Sequence, residues 1–296
     1  MSLHEPVMTT EVVSLLEPSR GGTFVDCTVG LGGHAAAVLR AGASCLIGLD
    51  RDAAALVPAR EALAAWQDRV ELVHADYRDL AAVLDARRIG RVEGIVADLG
   101  LSSFQIEGEG RGFSFQRDDP LDMRMDQTRG WTVADLIAGT KDDELADLIF
   151  RYGEERHSRR IARAIIEAWH VGAIHTTREL AAVVRRAIPR RGFARIDPAT
   201  RTFQALRIWT NAELDGLDQF LVGACGRLQP GGRLVVIAFH SLEDRIVKHT
   251  LRSLSQGPGG AIRILTKKPV VAGEAELARN PRSRSAKLRA VERPTG

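Results

Sequence analysis

The sequence predicts an α/β fold, in which a largely parallel sheet is covered by helices on both faces and interrupted by a helical insertion. Short apolar segments alternate with helix-like segments over the first hundred residues, which is typical of buried parallel strands. From Trp131 to Ile188 no strand stands out and the apolar residues follow helical periodicity. We therefore expect residues 1–108 and 206–296 to form one core, and residues 109–205 to form an inserted helical domain.

The composition is that of a globular protein: 45% of the 296 residues are hydrophobic and 27% are charged. The sequence has no long uncharged apolar run, and its first residues do not resemble a signal peptide, so we expect a cytoplasmic protein without membrane contact. Cys27, Cys45 and Cys225 are widely spaced in apolar contexts, which predicts neither a disulfide framework nor a metal site. Composition leaves open whether the protein is a monomer or a dimer.

The first strand is predicted at Thr23–Val25, after a helix at Thr10–Leu16. The elements expected next are the helix Ala35–Arg40, the strand Ser44–Leu49, the helix Ala53–Ala65, the strand Val70–His74, the helix Leu80–Arg88 and the strand Gly94–Ala97. Glycine and charge in Glu107–Pro120 then indicate a long loop, ordered or mobile.

In the insertion, helical periodicity covers Asp143–Tyr152, Ser158–His170 and a segment ending at Ala187. Thr132, Thr140 and Thr177 are the expected N-caps. The elements expected after it are the helices Ala199–Trp209 and Leu214–Leu228, the turn Gln229–Gly232, the strand Arg233–Phe239, a helix from a capping box at Ser241 to Leu254, and an antiparallel edge within Ala261–Val271 and Ala286–Val291.

A glycine-rich turn follows the first strand, with Gly30, Gly32 and Gly33 within four positions. Glycine has no Cβ, so the backbone turns tightly there and comes close to a ligand. The helix that starts next presents unpaired N–H groups above the turn. This combination predicts a nucleotide-type site at the carboxyl end of the first strand.

Three carboxylates indicate which ligand the turn holds. Asp50 ends the second strand twenty residues after Gly30, where an acid bonds ribose hydroxyls in dinucleotide enzymes and S-adenosylmethionine (SAM) enzymes alike. The GxGG spacing lacks the third glycine of GxGxxG, which disfavours a nicotinamide-dependent oxidoreductase. Asp26 before the turn would repel a pyrophosphate but suits an ammonium group, and Asp98 ends the fourth strand over the same crevice. SAM, which is cationic and free of phosphate, is the predicted ligand.

Six further segments carry a specific resemblance. They are Asp98–Gln105 (DLGLSSFQ), Arg111–Phe115 (RGFSF), Pro120–Asp126 (PLDMRMD), Pro198–Ile208 (PATRTFQALRI), Phe239–Lys248 (FHSLEDRIVK) and Asn280–Ser285 (NPRSRS). With them the whole chain, from His4 to Arg293, resembles the bacterial small-subunit ribosomal RNA cytosine-N4 methyltransferase family (RsmH, also called MraW).

The resemblance implies a class I SAM-dependent methyltransferase core, which is Rossmann-like, with an inserted all-helical domain after the fourth strand. It implies SAM as methyl donor, and the exocyclic amine of a cytidine in the decoding region of 16S rRNA, within the small ribosomal subunit, as acceptor. The family's SAM contacts fall here on Gly32, Gly33, His34, Asp50, Tyr77, Asp98 and Gln105. Tyr77 stands where an aromatic ring is expected to stack on adenine. Asp197 replaces an expected histidine and is predicted to cap a helix that begins at Pro198.

The candidates for catalysis are less defined. Many amino methyltransferases carry an Asp/Asn/Ser-Pro-Pro-aromatic tetrapeptide after strand four, and this sequence has no Pro-Pro there. Asp98, Ser102 and Ser103 are therefore candidate acceptors for the amine N–H groups. His240, after the fifth strand, is either a catalytic group or a hydrogen-bonded turn residue. His34 is likewise either a ligand contact or a packed or capping histidine.

Clustered arginines predict RNA as partner, through phosphate contacts without base specificity. The clusters are Arg151, Arg156, Arg159, Arg160 and Arg163; then Arg185, Arg186, Arg190, Arg191, Arg195 and Arg201; then Arg279, Arg282, Arg284, Lys287, Arg289 and Arg293. Phe113, Phe115 and Trp131 either stack on an extruded base or pack at a hinge. The alternative to an enzyme is a non-catalytic ribosome-assembly RNA-binding factor with a vestigial SAM site.

Overall fold

The structure is a computed structural model that describes residues 5–188, 197–257 and 261–295. Two compact units make up the chain: residues up to Ser102 together with those from Asp215 onward, and the segment Ser103–Leu214 between them. Among the described residues, no helix combines the length and apolar character needed to cross a membrane.

The first unit contains a seven-stranded sheet in the order β3-β2-β1-β4-β5-β7-β6. Its strands are β1 (Thr23–Asp26), β2 (Cys45–Asp50), β3 (Val70–His74), β4 (Val92–Asp98), β5 (Leu228–Ala238), β6 (Arg263–Ile264) and β7 (Lys287–Glu292). The first five strands are parallel, and β7 runs antiparallel to β5 and β6. The predicted sheet and its antiparallel edge are confirmed.

Helices cover both faces of this sheet because the strands are apolar on both. In β1, Phe24 belongs to one apolar cluster with Leu16 and Leu288, whereas Val25 belongs to the opposite cluster with Phe220. The helices of this unit are α1 (Thr9–Leu16), α2 (Gly33–Arg40), α3 (Leu56–Ala62), α4 (Leu80–Ala86), α11 (Leu217–Gly226), α12 (Ser241–Gln256) and α13 (Glu274–Arg279). The parallel register brings the carboxyl ends of β1, β2 and β4 to one edge.

The second unit is helical and has its own apolar core. Its helices are α5 (Ser103–Glu107), α6 (Val133–Ala138), α7 (Asp142–Gly153), α8 (Ser158–His170), α9 (Thr177–Ala187) and α10 (Ala199–Asn211). Phe203 and Leu206 of α10 are part of that core. The boundary expected at 205/206 from the sequence therefore falls inside a helix that the structure keeps whole, and this unit runs from Ser103 to Leu214.

The loop before α6 is ordered by buried hydrogen bonds. Asn211 on α10 accepts a hydrogen bond from the Met125 N–H (2.7 Å) and donates to the Met123 carbonyl (2.7 Å). The Arg111 guanidinium donates to the Met125 carbonyl (2.9 Å). These contacts hold the PLDMRMD segment against α10, because its backbone groups are satisfied by a side chain rather than by water.

Several predicted helix starts are wrong by one residue. Lys141, and not Thr140, precedes α7, and Thr176 rather than Thr177 forms the capping box of α9 with Glu179. His240 instead of Ser241 caps α12. Thr132 does cap α6, with Asp135 as its capping-box partner.

Two larger differences have physical reasons. The turn predicted at Gln229–Gly232 lies within β5, because the Gly231 N–H donates to the Arg293 carbonyl (2.7 Å) and the register against β4 shifts there. The helix predicted over Ala53–Ala65 is shorter at both ends, since α3 begins at Leu56 and ends at Ala62. A 3₁₀ segment, Ala64–Arg69, continues from there to β3.

Candidate active site

The glycine-rich turn joins β1 to α2 and requires glycine at two positions for different reasons. Gly32 has a φ of 85°, in the left-handed region that favours glycine. A Cβ on Gly33 would lie 2.8 Å from Pro6 Cγ, so a side chain there would displace the residues packed above it. The turn is therefore built for close approach, with the first N–H groups of α2 at its open side.

Asp50 at the end of β2 supports this turn directly. Its Oδ2 accepts a hydrogen bond from the Gly30 N–H (2.8 Å), and its Oδ1 accepts one from the Asp52 N–H (2.8 Å). Burial raises the pKa of Asp50 to about 6 in spite of these two bonds. The acid expected to meet a ribose thus also fixes the glycine backbone.

Asp26 at the end of β1 is fully buried and only partly satisfied. Its Oδ1 accepts a hydrogen bond from the Thr28 N–H (3.1 Å), while Oδ2 has no hydrogen-bond partner among the described residues. Burial raises its pKa to about 6. A buried carboxylate oxygen without a partner is costly, and a cationic ligand is the kind of group that compensates it.

Asp98 at the end of β4 repeats this pattern on the neighbouring strand. Its Oδ1 is buried and unpartnered within the described part of the chain, while its Oδ2 lies 3.7 Å from His34 Nδ1. Burial, with a smaller contribution from the nearby negative charge of Glu243, raises the pKa of Asp98 to about 7. We refer to Asp26, Asp50 and Asp98 as the turn carboxylates.

His34 is a buried residue that connects two parts of the site. Its Nε2 lies 2.9 Å from the Val7 carbonyl, which only accepts hydrogen bonds, so this nitrogen carries the proton and donates it. Nδ1 is left facing Asp98. The 3.7 Å between Nδ1 and Asp98 Oδ2 is beyond hydrogen-bond distance, so the contacts of His34 are those of a packed histidine, and a ligand contact stays a prediction.

Residues 5–8 form a strap over the turn that sequence reasoning missed. The Met8 N–H donates to Glu276 Oε1 (2.7 Å), and Asn280 Nδ2 donates to the Glu5 carbonyl (3.1 Å). Arg279 completes the attachment with an ion pair to Glu5 (2.9 Å). The partners are about 270 positions apart in the sequence, so no local pattern indicates them.

Tyr77 follows β3 at the same edge of the sheet. Its ring packs against Phe220 with 4.7 Å between the centroids, and the guanidinium carbon of the neighbouring Arg78 lies 5.8 Å from the centroid of the Tyr77 ring. Arg78 also makes two hydrogen bonds to Asp76 (both 2.8 Å). Burial alone would raise the pKa of Asp76, but the bonds from Arg78 outweigh it and hold that pKa below its usual value.

The remaining candidates divide between the two units. The Ser102 side chain lies beside the turn, since its Cβ is 3.8 Å from where a Cβ on Gly30 would stand. Gln105 is buried in the second unit, which also contains the backbone of Ser103; the Ser103 side chain lies outside the described structure.

His240 and Glu243 lie side by side at the start of α12. His240 Nδ1 accepts the Glu243 N–H (3.4 Å), and Nε2 lies 3.2 Å from Glu243 Oε1. Glu243 Oε2 accepts the Phe239 N–H (2.9 Å). Nδ1 thus acts as the helix cap that the hydrogen-bonded turn residue requires, whereas the buried Nε2 makes no hydrogen bond in the described part of the chain, so both interpretations of His240 stay open.

The predicted basic clusters contain both paired and unpaired arginines. Paired ones include Arg185 with Asp197 (2.8 Å), Arg201 with Glu155 (3.6 Å) and Arg289 with Asp244 (2.6 Å). Asp197 Oδ1 also accepts the Ala199 N–H (2.8 Å) at the start of α10, as its predicted capping role requires. Arg190, Arg191 and Arg195 lie outside the described residues.

The three candidate stacking aromatics also differ. Phe113 and Phe115 pack against the helical core, and Phe115 makes an edge contact with Phe203 at 5.0 Å. Trp131 is 70% exposed. Of these three rings, that of Trp131 is exposed, whereas those of Phe113 and Phe115 are half-buried.

The strand order, the glycine turn and the carboxylates that end β1, β2 and β4 together define a class I methyltransferase core. The chain belongs to the MraW methylase family, whose model matches residues 1–294. It is 49% identical over 293 residues to the ribosomal RNA small subunit methyltransferase H of Sorangium cellulosum, covering 99% of this chain and 91% of that protein. The protein of the same name from Nitratidesulfovibrio vulgaris strain Miyazaki F is 50% identical over 312 residues, with 99% and 86% covered.

A solved structure of similar fold is an rRNA methylase from Streptococcus thermophilus. It has a TM-score of 0.42 and 11% sequence identity, and the match covers 97% of this chain and 93% of that one.

Proposed function

We propose that this protein transfers a methyl group from SAM to the exocyclic N4 amine of a cytidine in the decoding region of 16S rRNA, in the small ribosomal subunit and in the cytoplasm. Membership of a methylase family supports the reaction class, and the relatives named as small-subunit rRNA methyltransferases support the substrate class. The observation that carries the choice of cofactor is the pair of buried, unpartnered oxygens, Asp26 Oδ2 and Asp98 Oδ1.

These oxygens suit a cation and would repel a pyrophosphate. We assign Asp26 and Asp98 to the positive groups of SAM, Asp50 to its ribose hydroxyls and Tyr77 to its adenine. The backbone at Gly30, Gly32 and Gly33 supplies close approach, and His34, beside Asp98, is a further proposed cofactor contact. Gln105, in the second unit, is the remaining proposed contact.

SAM supplies a methyl group already activated by a sulfonium, so the protein has mainly to position the acceptor and exclude water. The cytosine amine is a poor nucleophile because its lone pair is delocalised into the ring. An oxygen that accepts one of its N–H bonds favours a more tetrahedral nitrogen. We propose Ser102 or Ser103 for this acceptor, and Asp98 where it is not engaged with the cofactor. His240 is the further candidate, because its buried Nε2 makes no hydrogen bond among the described residues.

We propose the helical unit, Ser103–Leu214, as the substrate-recognition domain. Its exposed arginines suit RNA phosphates, and Trp131 offers an exposed ring for an unstacked base.

The test is nucleoside mass spectrometry of 16S rRNA. Small subunits from cells that lack this protein are incubated with the purified protein and SAM carrying a deuterated methyl group. We expect deuterated N4-methylcytidine with the wild type, none with Asp50→Ala, and full product with Asp68→Ala, an exposed acid of the same αβ unit. A methylated base other than cytidine, or methylation elsewhere in the rRNA, would contradict the proposal.

A non-catalytic assembly factor with a vestigial SAM site is distinguished by calorimetry. The proposal requires heat on titration with SAM and a weaker interaction for Asp50→Ala. No detectable heat at millimolar SAM would favour the assembly factor.

A further inference from the structure

A groove of about 550 Å³ runs between α8 and α9 in the helical unit. Its floor consists of small apolar side chains: Ala164, Ala168, Ala173, Val183 and Ala187. Because the side chains of the floor are short, an elongated ligand can approach both helices closely. The longer side chains at the rim extend beyond the floor.

The rim of this groove is basic on both sides. Arg160 and Arg163 stand one helical turn apart on α8, so their side chains share a face. Arg186 faces them from α9, and Glu167 is the one acidic residue among the lining side chains. The groove therefore offers three guanidinium groups against one carboxylate.

These guanidinium groups are available, which distinguishes them from other arginines of the same unit. Arg160, Arg163 and Arg186 are exposed, and none of the three side chains has a hydrogen-bond or ion-pair partner in the described part of the chain. By contrast, Arg185 is held by Asp197 and Arg207 is held by the buried Glu213. Exposed arginines that outnumber the carboxylates of a groove three to one match a polyanion, because Arg binds phosphate with paired N–H donors.

We infer that the α8–α9 groove binds a segment of the ribose-phosphate backbone of ribosomal RNA, with Arg160, Arg163 and Arg186 each contacting a phosphate. The apolar floor accepts the ribose side of the strand, since it has no charged group to desolvate. The contacts fix the position of the RNA and carry no base specificity. This inference rests on the proposed function, because it takes the RNA substrate as the occupant.

The test measures RNA affinity against salt concentration. The probe is the fluorescently labelled small subunit from cells that lack this protein, titrated with wild type, with the groove variant R160Q/R163Q/R186Q and with the control variant R60Q/R69Q/R91Q. The control removes the same charge from three exposed arginines of the first unit, which lie outside the predicted basic clusters and do not line the groove. All substituted side chains are exposed, and thermal unfolding checks that each variant is folded.

Removing one arginine–phosphate interaction lowers the slope of log affinity against log salt by about 0.7–0.9. Between 50 and 200 mM potassium chloride, we therefore expect the wild type to lose roughly 20- to 40-fold more affinity than the groove variant. The control variant should keep the slope of the wild type. Equal slopes for the groove and control variants would overturn the inference.

A second pair of variants tests the groove without removing an arginine. Val171 lies at the groove and is 78% exposed, and Val222 is 49% exposed on α11 in the other unit. Val171→Glu should weaken binding of the small subunit by placing a negative charge at the groove, while Val222→Glu should not. If both variants bind as the wild type does, the groove is not the site.

The outcomes separate this inference from the proposed function. If the wild type binds the subunit but yields no N4-methylcytidine, and the groove variants lose binding, the results support the groove as the RNA site and refute the proposed reaction. A groove variant with wild-type affinity and full product refutes the groove and leaves the reaction standing. A wild type that does not bind the subunit at all refutes both.

Discussion

Asp98→Asn removes the carboxylate whose ionisation the fold disfavours most among the turn carboxylates. The substitution keeps the shape of the side chain and its position at the end of β4. Burial and the charge of Glu243 raise the pKa of Asp98 from 3.8 to about 7. In the unfolded chain the carboxyl ionises normally, so the folded protein holds more protons than the unfolded protein between these two values.

The direction of the pH effect follows from that difference. The stability contributed by a group with a raised pKa is fully present below pH 3.8 and is lost as the pH rises through 7. Between pH 5.5 and 8.0 the wild type should lose about 2 kcal/mol through Asp98, at 1.36 kcal/mol per pKa unit. The side chain is 23% exposed, so solvent screening makes this figure an upper value. The asparagine variant has no such loss, and its stability relative to the wild type should rise over the same pH range.

The assay is denaturant unfolding of the protein without SAM, at pH 5.5 and at pH 8.0. Asp244→Asn is the matched control in the same unit. Burial would raise the pKa of Asp244, but the hydrogen bond from Arg289 outweighs it and holds that pKa below its usual value. Its variant should therefore be less stable than the wild type by the same amount at both pH values. A pH-independent difference for Asp98→Asn as well would refute the assignment of a raised pKa to this carboxyl.

Three further predictions concern the site and the packing around it. Near pH 6.5 the binding of SAM should release roughly one proton, because a cation favours the ionised form of the turn carboxylates. Calorimetry in buffers of different ionisation enthalpy measures the number of protons released. A binding enthalpy that does not depend on the buffer would contradict this prediction. Gly94→Ala should cost about 1–3 kcal/mol of unfolding free energy, since the new Cβ would lie 2.5 Å from Phe24 Cε1, and an unchanged denaturation midpoint would show that the strand adapts. Asn211→Ala should cost about 3 kcal/mol because it leaves the Met125 N–H and the Met123 carbonyl unpaired, whereas a loss below about 1 kcal/mol would mean that water replaces the side chain.

The fold was largely predictable because its determinants are local in sequence. The apolar strands, the glycine turn and the carboxylate at the end of β4 each follow from a short pattern, and α8 begins and ends at the predicted residues Ser158 and His170. Helix starts were less certain, because neighbouring polar residues compete for one capping position. At α12, His240 occupies it and moves Ser241 to the first helical residue.

Neither the strap of residues 5–8 nor the division of the arginines into paired and unpaired side chains was predictable from the sequence. The strap depends on Glu276 and Asn280 reaching residues 5–8 across the whole length of the chain. The arginines look alike as a cluster, and only the structure separates Arg185, which has Asp197 as partner, from Arg186, which has no partner among the described residues. Pairing of this kind depends on the distances between helices, which periodicity does not specify.

The turn carboxylates connect stability to the choice of ligand. Burial of Asp26 and Asp98 with one oxygen of each unpaired disfavours their ionisation in the free protein, as their raised pKa values indicate. A neutral ligand would leave that cost in place, and a pyrophosphate would add repulsion to it. A bound cation stabilises the ionised carboxylates and so offsets the cost of their burial. The free energy lost by burying Asp26 and Asp98 in the free protein thus contributes to the affinity for SAM. If this is correct, replacing both aspartates by asparagine should stabilise the free protein at pH 8.0 and weaken SAM binding together. A variant that gains stability while keeping its SAM affinity would separate the two effects and exclude the ligand as their common cause.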